Sequence, residues 1–213
     1  MTETFFAVEI LEPFVSKWMF IELAHASRIV GRDRLWVFNV RRECEAEVLA
    51  SIASRVERMS IVSLGEELSK EFNTLVLDPS ASQPLSPRDF TGRTLVVVGG
   101  IMGDHPPRGR TRRELTEKLT GRCLERSIGR GQFTIDGAIY VAYKVSRGAT
   151  LEELSVRNGL RLKHGDVEVY LPYSYPVERG SVVISEEEVR YILEELEEDE
   201  ARATREGKLP SVC

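Results

Sequence analysis

Three runs in this sequence, LWVFNV (35–40), TLVLDP (74–79) and RTLVVVGG (93–100), are apolar at consecutive positions rather than at alternate ones. A strand with one face in water alternates apolar and polar side chains, whereas a continuous run belongs to a strand covered on both faces. FFAVEIL (5–11) adds a fourth short run of β-favouring residues. The segments between them change period. Residues 14–30 space Trp18, Ile21, Ala24 and Ala26 as a helix does and close at Gly31, and helical spacing returns at 45–55 and 63–72. Strand–helix–strand alternation with doubly covered strands predicts an α/β fold, a largely parallel sheet flanked by helices.

The pattern continues less evenly. A helix is expected over about 110–120, a short strand near 122–127, and a helix through DGAIYVAYKVSRG (136–148). Residues 150–182 are irregular apart from a strand in DVEVYLPY (166–173). From Ser185 the sequence SEEEVRYILEELEEDEARA is helical. Ser185 serves as N-cap, Glu188 completes a capping box, and Val189, Ile192, Leu193 and Leu196 form the apolar stripe. With 213 residues, no internal repeat and no compositional break, one domain spanning 1–213 is expected.

No stretch nears the roughly 18 apolar residues that span a bilayer, and the N-terminal MTETFFAVEILEPF carries acids instead of the basic start of a secretory signal. Cys44, Cys123 and Cys213 are odd in number, widely spaced and outside any C-x-x-C. That spacing argues against a disulfide framework and a zinc site, and for a soluble protein in the reducing cytoplasm. The net charge of −5 conceals a division. Residues 186–200 hold nine acids and one arginine, a balance of −8, which leaves +3 for the rest of the chain. Arg108, Arg110, Arg112 and Arg113 form a basic run, followed by Arg122, Arg126 and Arg130.

In an open parallel sheet, ligands bind beyond the carboxyl ends of the strands. Three strand exits carry unusual residues: LDPSASQPL (77–85), GGIMGDHPPRGRT (99–111) and IGRGQFTID (128–136). Gly99, Gly100 and Gly103 let a ligand lie against main chain, and Pro106 and Pro107 stiffen the far wall. There is no G-K-[ST] of a phosphate loop and no G-x-G-x-x-G, because Thr134 stands where the last glycine belongs. Asp104 and His105 are adjacent, without companions at ligand spacing, so no metal is expected. His25 reads as a packing or surface residue and His164 as a turn residue. His105, in the glycine–proline loop, is placed for ligand or substrate, and Asp104 at a strand exit can orient a donor or accept a proton.

Taken in order, LDP (77–79), GGIMGDHPPRGRT (99–111) and QFTIDGAIYVA (132–142) resemble the SPOUT superfamily of S-adenosylmethionine-dependent methyltransferases. The resemblance is to an archaeal member of a branch first labelled as RNA methyltransferases, whose yeast relative methylates an arginine of a small-subunit ribosomal protein. It covers nearly the whole chain and is strong over about 74–143. It implies a deep trefoil knot in the C-terminal half, which periodicity does not disclose. It also implies a bent methyl donor held by three loops, with Leu77, Asp78, Pro79, Gly99, Gly100, Gly103, Ile128, Gly129, Gln132, Phe133, Thr134 and Asp136 around it. Asp104 and His105 are then the catalytic candidates, and Arg108 and Arg110 the substrate-binding ones.

Three functions follow for comparison: methylation of a ribosomal-protein arginine, methylation of tRNA or rRNA, and binding of S-adenosylmethionine or a nucleotide without catalysis. The acidic segment 186–200 can attract a basic protein, and the arginine run can track a phosphate backbone. KLPSVC (208–213) either dangles or covers the pocket. The resemblance allows a monomer or a homodimer.

Overall fold

β1 (Glu3–Ile10) lies at the centre of the sheet that the apolar runs predict. In chain order there follow α1 (Lys17–Val30), β2 (Leu35–Phe38), α2 (Glu43–Leu49), β3 (Arg55–Val56), α3 (Ile61–Glu71), β4 (Asn73–Leu77) and β5 (Arg93–Gly100). A helical segment at 112–119, β6 (Leu124–Arg126) and α4 (Ile135–Ser146) come next. β7 (Ser155–His164), β8 (Val167–Glu178), β9 (Ser181–Val182), α5 (Glu186–Arg190) and α6 (Leu196–Glu206) complete the chain. The computed structural model describes residues 3–103, 108–119, 123–165, 167–207 and 210–213.

The main sheet has the order β3-β2-β1-β5-β4-β6, and each paired neighbour runs parallel. Its strands read as apolar throughout because their two faces feed two cores. Phe6, Val8, Leu35, Val37, Leu75, Val96 and Val98 turn toward α1 and α4. Ala7, Phe38, Val76, Leu95 and Val97 turn the other way, toward α3 and segment 112–119. Truncating one of these larger side chains to alanine costs about 2–5 kcal/mol.

The helix starts follow local chemistry. Ser16 Oγ accepts the Met19 N–H at 3.0 Å and Ser60 Oγ accepts the Val62 N–H at 3.1 Å, which satisfies donors a first turn leaves open. The Gly31 N–H closes α1 on the Ser27 carbonyl at 2.8 Å. The inward face of α1, however, is Met19, Glu22, Leu23, Ala26, Ser27 and Val30. Trp18, Ile21 and Ala24 are only half-buried. Hydropathy spacing placed the stripe one residue off because it cannot count a buried glutamate as inward.

Two expectations are corrected here. The strand expected in DVEVYLPY is present as β8, but residues 155–164 are its antiparallel partner rather than irregular chain, with a register shift between Asn158 and Leu160. One face packs through Leu160, Leu171 and Tyr175 against Ile192, and the other carries the exposed Arg161 and Lys163. A strand with one wet face and a glycine at its bulge leaves little apolar signal.

Cys44 and Cys213, 169 residues apart, form a disulfide with Cα atoms 6.1 Å apart, and Cys123 is free. No local spacing announces such a pair; only the tertiary fold brings it together. The tail that carries Cys213 neither dangles nor lines the pocket described below. It pairs with the start of α1, the Val212 N–H donating to the Val15 carbonyl at 3.1 Å and the Lys17 N–H to the Pro210 carbonyl at 3.2 Å. Alkylation of the unfolded, unreduced protein should therefore modify one thiol of three. Cys44→Ala should lower unfolding free energy by about 2–4 kcal/mol in a denaturant titration.

Candidate active site

Because its strands are parallel, the sheet delivers all its carboxyl ends to one edge. There the exits of β4 and β5, residues 108–112 and residues 128–133 enclose a cavity of about 360 Å³. Leu77, Val98, Ile101, Ile128, Phe133 and Ala138 give it apolar walls, while Asp78, Ser80, Thr111, Gln132 and the arginines 108, 110, 112 and 130 supply polar groups.

Two glycines make the approach of the hairpin possible. A Cβ on Gly103 would overlap the Tyr173 ring and meet Gln132 Nε2 at 2.8 Å, and one on Gly131 would overlap Ser174 Oγ. The hairpin thus braces the pocket from outside: the Ser174 N–H donates to the Gln132 carbonyl at 2.8 Å, and Phe133 forms a parallel bridge with Ser174.

Asp78 ties the first exit to the second. Its Oδ1 accepts the Ser80 N–H at 2.9 Å and the Ser80 hydroxyl at 2.6 Å. Oδ2 accepts the Thr116 hydroxyl at 2.8 Å and lies 3.6 Å from the Arg112 guanidinium. At 2% exposure this carboxylate has replaced water with three protein donors and a nearby guanidinium.

The arginine run is largely neutralised within the fold. Arg110 pairs with Glu12 at 2.7 Å and Glu114 at 3.3 Å and donates to the Leu11 carbonyl at 2.6 Å. Burial works against its charge, but Glu12 and Glu114 outweigh it and raise its pKa. Arg112 pairs with Glu125, Arg113 with Glu114, and Arg126 with Asp89.

Of the residues singled out from the sequence, Leu77, Asp78, Pro79, Gly99, Ile128, Gln132, Phe133, Arg108 and Arg110 line the cavity. Gly100, Gly103, Gly129, Thr134 and Asp136 do not. Gly100 packs inside the sheet, where a Cβ would meet the Glu9 carbonyl and Val8 at 3.0 Å. Gly129 makes a turn at φ 126°. Thr134 caps α4 through the Gly137 N–H at 3.2 Å. Asp136, 1% exposed, faces away from the cavity to His25 Nδ1 at 2.6 Å. His25, read from the sequence as packing or surface, is therefore the partner of a site-adjacent acid. Asp104, His105, Pro106 and Pro107 lie outside the described residues.

Ser80, Val98, Ile101, Gly109, Thr111, Arg112, Arg130, Gly131 and Ala138 line the cavity without having been singled out. Most sit inside the three quoted motifs, and the second glycine of IGRGQ was the clearest missed signal. Among the described residues no group of three or more His, Cys, Asp or Glu is arranged to hold a metal, and no helix is long and apolar enough to cross a membrane.

A parallel α/β sheet with a partly apolar cavity, bordered by glycines, at its carboxyl edge defines an α/β protein with a small-molecule site. The family model described as protein arginine N-methyltransferase SFM1-like matches residues 5–199, and the chain belongs to that family. Protein arginine N-methyltransferase SFM1 of Saccharomyces cerevisiae is 32% identical over 143 residues, 63% of this chain and 67% of that protein. The crystal structure of the yeast enzyme complexed with SAH superposes with a TM-score of 0.79 at 25% identity, covering 88% of this chain and 94% of that one. Its complex with SAM gives 0.81 at 24% identity and 91% coverage of each.

Asp78→Ala should strand its buried donors and cost about 1–3 kcal/mol of stability, read by chemical denaturation. Gly131→Val should leave the sheet intact by circular dichroism while weakening cofactor binding about tenfold or more, read by calorimetry.

Proposed function

We propose that this protein transfers a methyl group from S-adenosylmethionine to a guanidinium nitrogen of an arginine in a small-subunit ribosomal protein. It is an S-adenosylmethionine-dependent methyltransferase, and the observation that carries this is the family match over residues 5–199. The cavity fits the donor. Its volume of about 360 Å³ lies in the range of small-molecule sites. Leu77, Val98, Ile128, Phe133 and Ala138 suit an adenine face, main chain is close at Gly99 and Gly131, and arginines are at hand for a carboxylate. In this reading 1–213 is one SPOUT domain, and the three segments that enclose the cavity are the strands of a trefoil knot.

When bound, the donor supplies a methyl group already activated by sulfonium charge. What remains for the chain is to hold a nucleophile in line and take a proton. An arginine is protonated in water at all ordinary pH values. Asp104 is proposed to accept hydrogen bonds from the acceptor guanidinium and receive the proton released as the N–C bond forms, with His105 beside it. Arg108 and Arg110 are proposed to hold the flanking substrate, Arg110 being fixed in place by Glu12 and Glu114.

The ion pairs of Arg110, Arg112, Arg113 and Arg126 support a protein acceptor over RNA, because charges satisfied within the fold are spent for a phosphate backbone. The exposed acids Glu186, Glu194, Glu197 and Glu200 support a basic protein partner. An archaeal cytoplasm is the proposed setting. Disulfides such as Cys44–Cys213 persist inside hyperthermophilic archaea.

Incubation with methyl-labelled donor and dissociated ribosomal subunits should label protein and leave RNA unlabelled. Exclusive labelling of RNA would reverse the acceptor, and donor binding without transfer would leave only a binding module. Asp104→Ala should lower kcat about a hundredfold while changing the donor Kd less than about threefold; equal losses in both would remove Asp104 from catalysis.

A further inference from the structure

We propose that three buried carboxyl groups, Glu22, Asp136 and Glu188, form a cluster that positions the third wall of the cofactor pocket, with Glu22 as its positioning residue. The proposal rests on the reading that this pocket takes S-adenosylmethionine.

The three acids come from three elements. Glu22 lies in the middle of α1, Asp136 in the first turn of α4, and Glu188 in α5. Their exposures are 4%, 1% and 0%. Glu22 Oε2 accepts the N–H of Ile135 at 2.8 Å, a bond across 113 residues. Ile135 is where the chain turns from the pocket wall, Gly131 to Phe133, into the helix that contributes Ala138 to the same pocket. One carboxyl thus anchors the junction between both parts of that wall.

Asp136 holds the next residue through its contact with His25 on α1. Glu188 Oε1 accepts the indole N–H of Trp18 at 3.2 Å, drawing α5 against α1. The cluster is not fully satisfied. Glu188 Oε2 and the Tyr175 hydroxyl are buried without a hydrogen-bond partner among the described residues. Acceptors crowded in this way lack donors, and a proton retained on a carboxyl supplies one.

The groups facing the cluster are Trp18 and His25 from α1, Asp136 from α4, and Tyr173 and Tyr175 from β8. Burial first, then the charges of Glu188 and Asp136, push the Glu22 carboxyl well above the usual range. Burial, and then Asp136, push Glu188 up to about 8. Burial and the same three acids raise the Tyr175 phenol, which keeps it neutral.

The sign follows from linkage. An unfolded glutamate titrates near about 4.3, so the stability contributed by a protonated Glu188 is complete below that value. It is lost progressively as pH rises toward the folded value of about 8. Glu188 takes up its charge in the folded protein only near the upper end of that window. There a further negative charge appears behind the pocket wall, beside the carboxyl that accepts the Ile135 N–H.

The test uses the full chain and 5′-methylthioadenosine, which lacks the donor's own titrating amino group. Binding is measured by calorimetry from pH 6 to 10, and the indole N–H signals of the ¹⁵N-labelled protein are followed over the same range. The Trp18 signal should titrate with a midpoint within about one unit of 8, that of Trp36 should not, and Kd should rise about tenfold across the interval. Glu188→Gln should abolish both pH effects.

Glu22→Gln, whose amide oxygen still accepts from Ile135, should bind within about threefold of the natural protein below pH 7, and Glu22→Ala about tenfold more weakly. Should Glu22→Ala fail to fold, the Glu188→Gln comparison decides. A Trp18 signal that does not titrate, or a pH profile that Glu188→Gln leaves unchanged, overturns the proposal. A titrating Trp18 with no nucleoside bound at any pH supports the cluster and overturns the reading of the pocket instead.

Discussion

Parallel pairing forces every strand of the main sheet to end on the same edge, and the functional surface depends on that constraint. β1 pairs with β5 along eight residues, from Glu3 opposite Arg93 to Ile10 opposite Gly100. This ladder sets the height at which Gly99 leaves the sheet, and the β4–β5 ladder sets the height of Leu77 and Asp78 beside it. Convergence of the three loops is therefore a consequence of register. The residues of the loops then determine what the convergence can hold.

The second theme is how the fold disposes of charge. Of the 30% of residues that are charged, several lie inside the fold, where partners or retained protons must take the place of water. Two different solutions flank the pocket. On one side, arginines are matched to acids: Arg110 to Glu12 and Glu114, Arg112 to Asp78 and Glu125. On the other, Glu22, Asp136 and Glu188 are buried together with few cations, and burial favours the protonated forms of Glu22 and Glu188. The first arrangement resists pH change and the second responds to it. The pocket wall that bears on the second is the one held by Glu22.

The hairpin and the C-terminal tail act as external braces. Tyr173 and Ser174 close on Gly103 and Gly131, and Gly131 borders the cavity as well as β8. The tail is bound by a disulfide to Cys44 of α2 and by two backbone hydrogen bonds to the start of α1, the helix that carries Glu22, His25 and Trp18. Elements far from the cavity in sequence thus determine how firmly its walls are held.

Much of this architecture was legible from residue order. Continuous apolar runs marked doubly covered strands, because a strand between two cores has no wet face to record. LDP, GGIMGDHPPRGRT and IGRGQ marked the pocket, because only particular residues tolerate sharp exits and close backbone approach. The first strand of the hairpin, 155–164, was hidden, since Arg161 and Lys163 on its exposed face dilute its pattern. So were the roles of Glu22 and Glu188, which a periodicity reading assigns to water.

By itself, then, the sequence determined the layered α/β body and the position of its binding edge, since both are encoded in neighbours within a few residues of one another. Only the tertiary structure decided that Asp136 meets His25, that Cys44 meets Cys213, and that Arg110 is paired with Glu12. Each of those outcomes is a contact between residues dozens to more than a hundred positions apart. Its free energy exists only once the chain has closed around it.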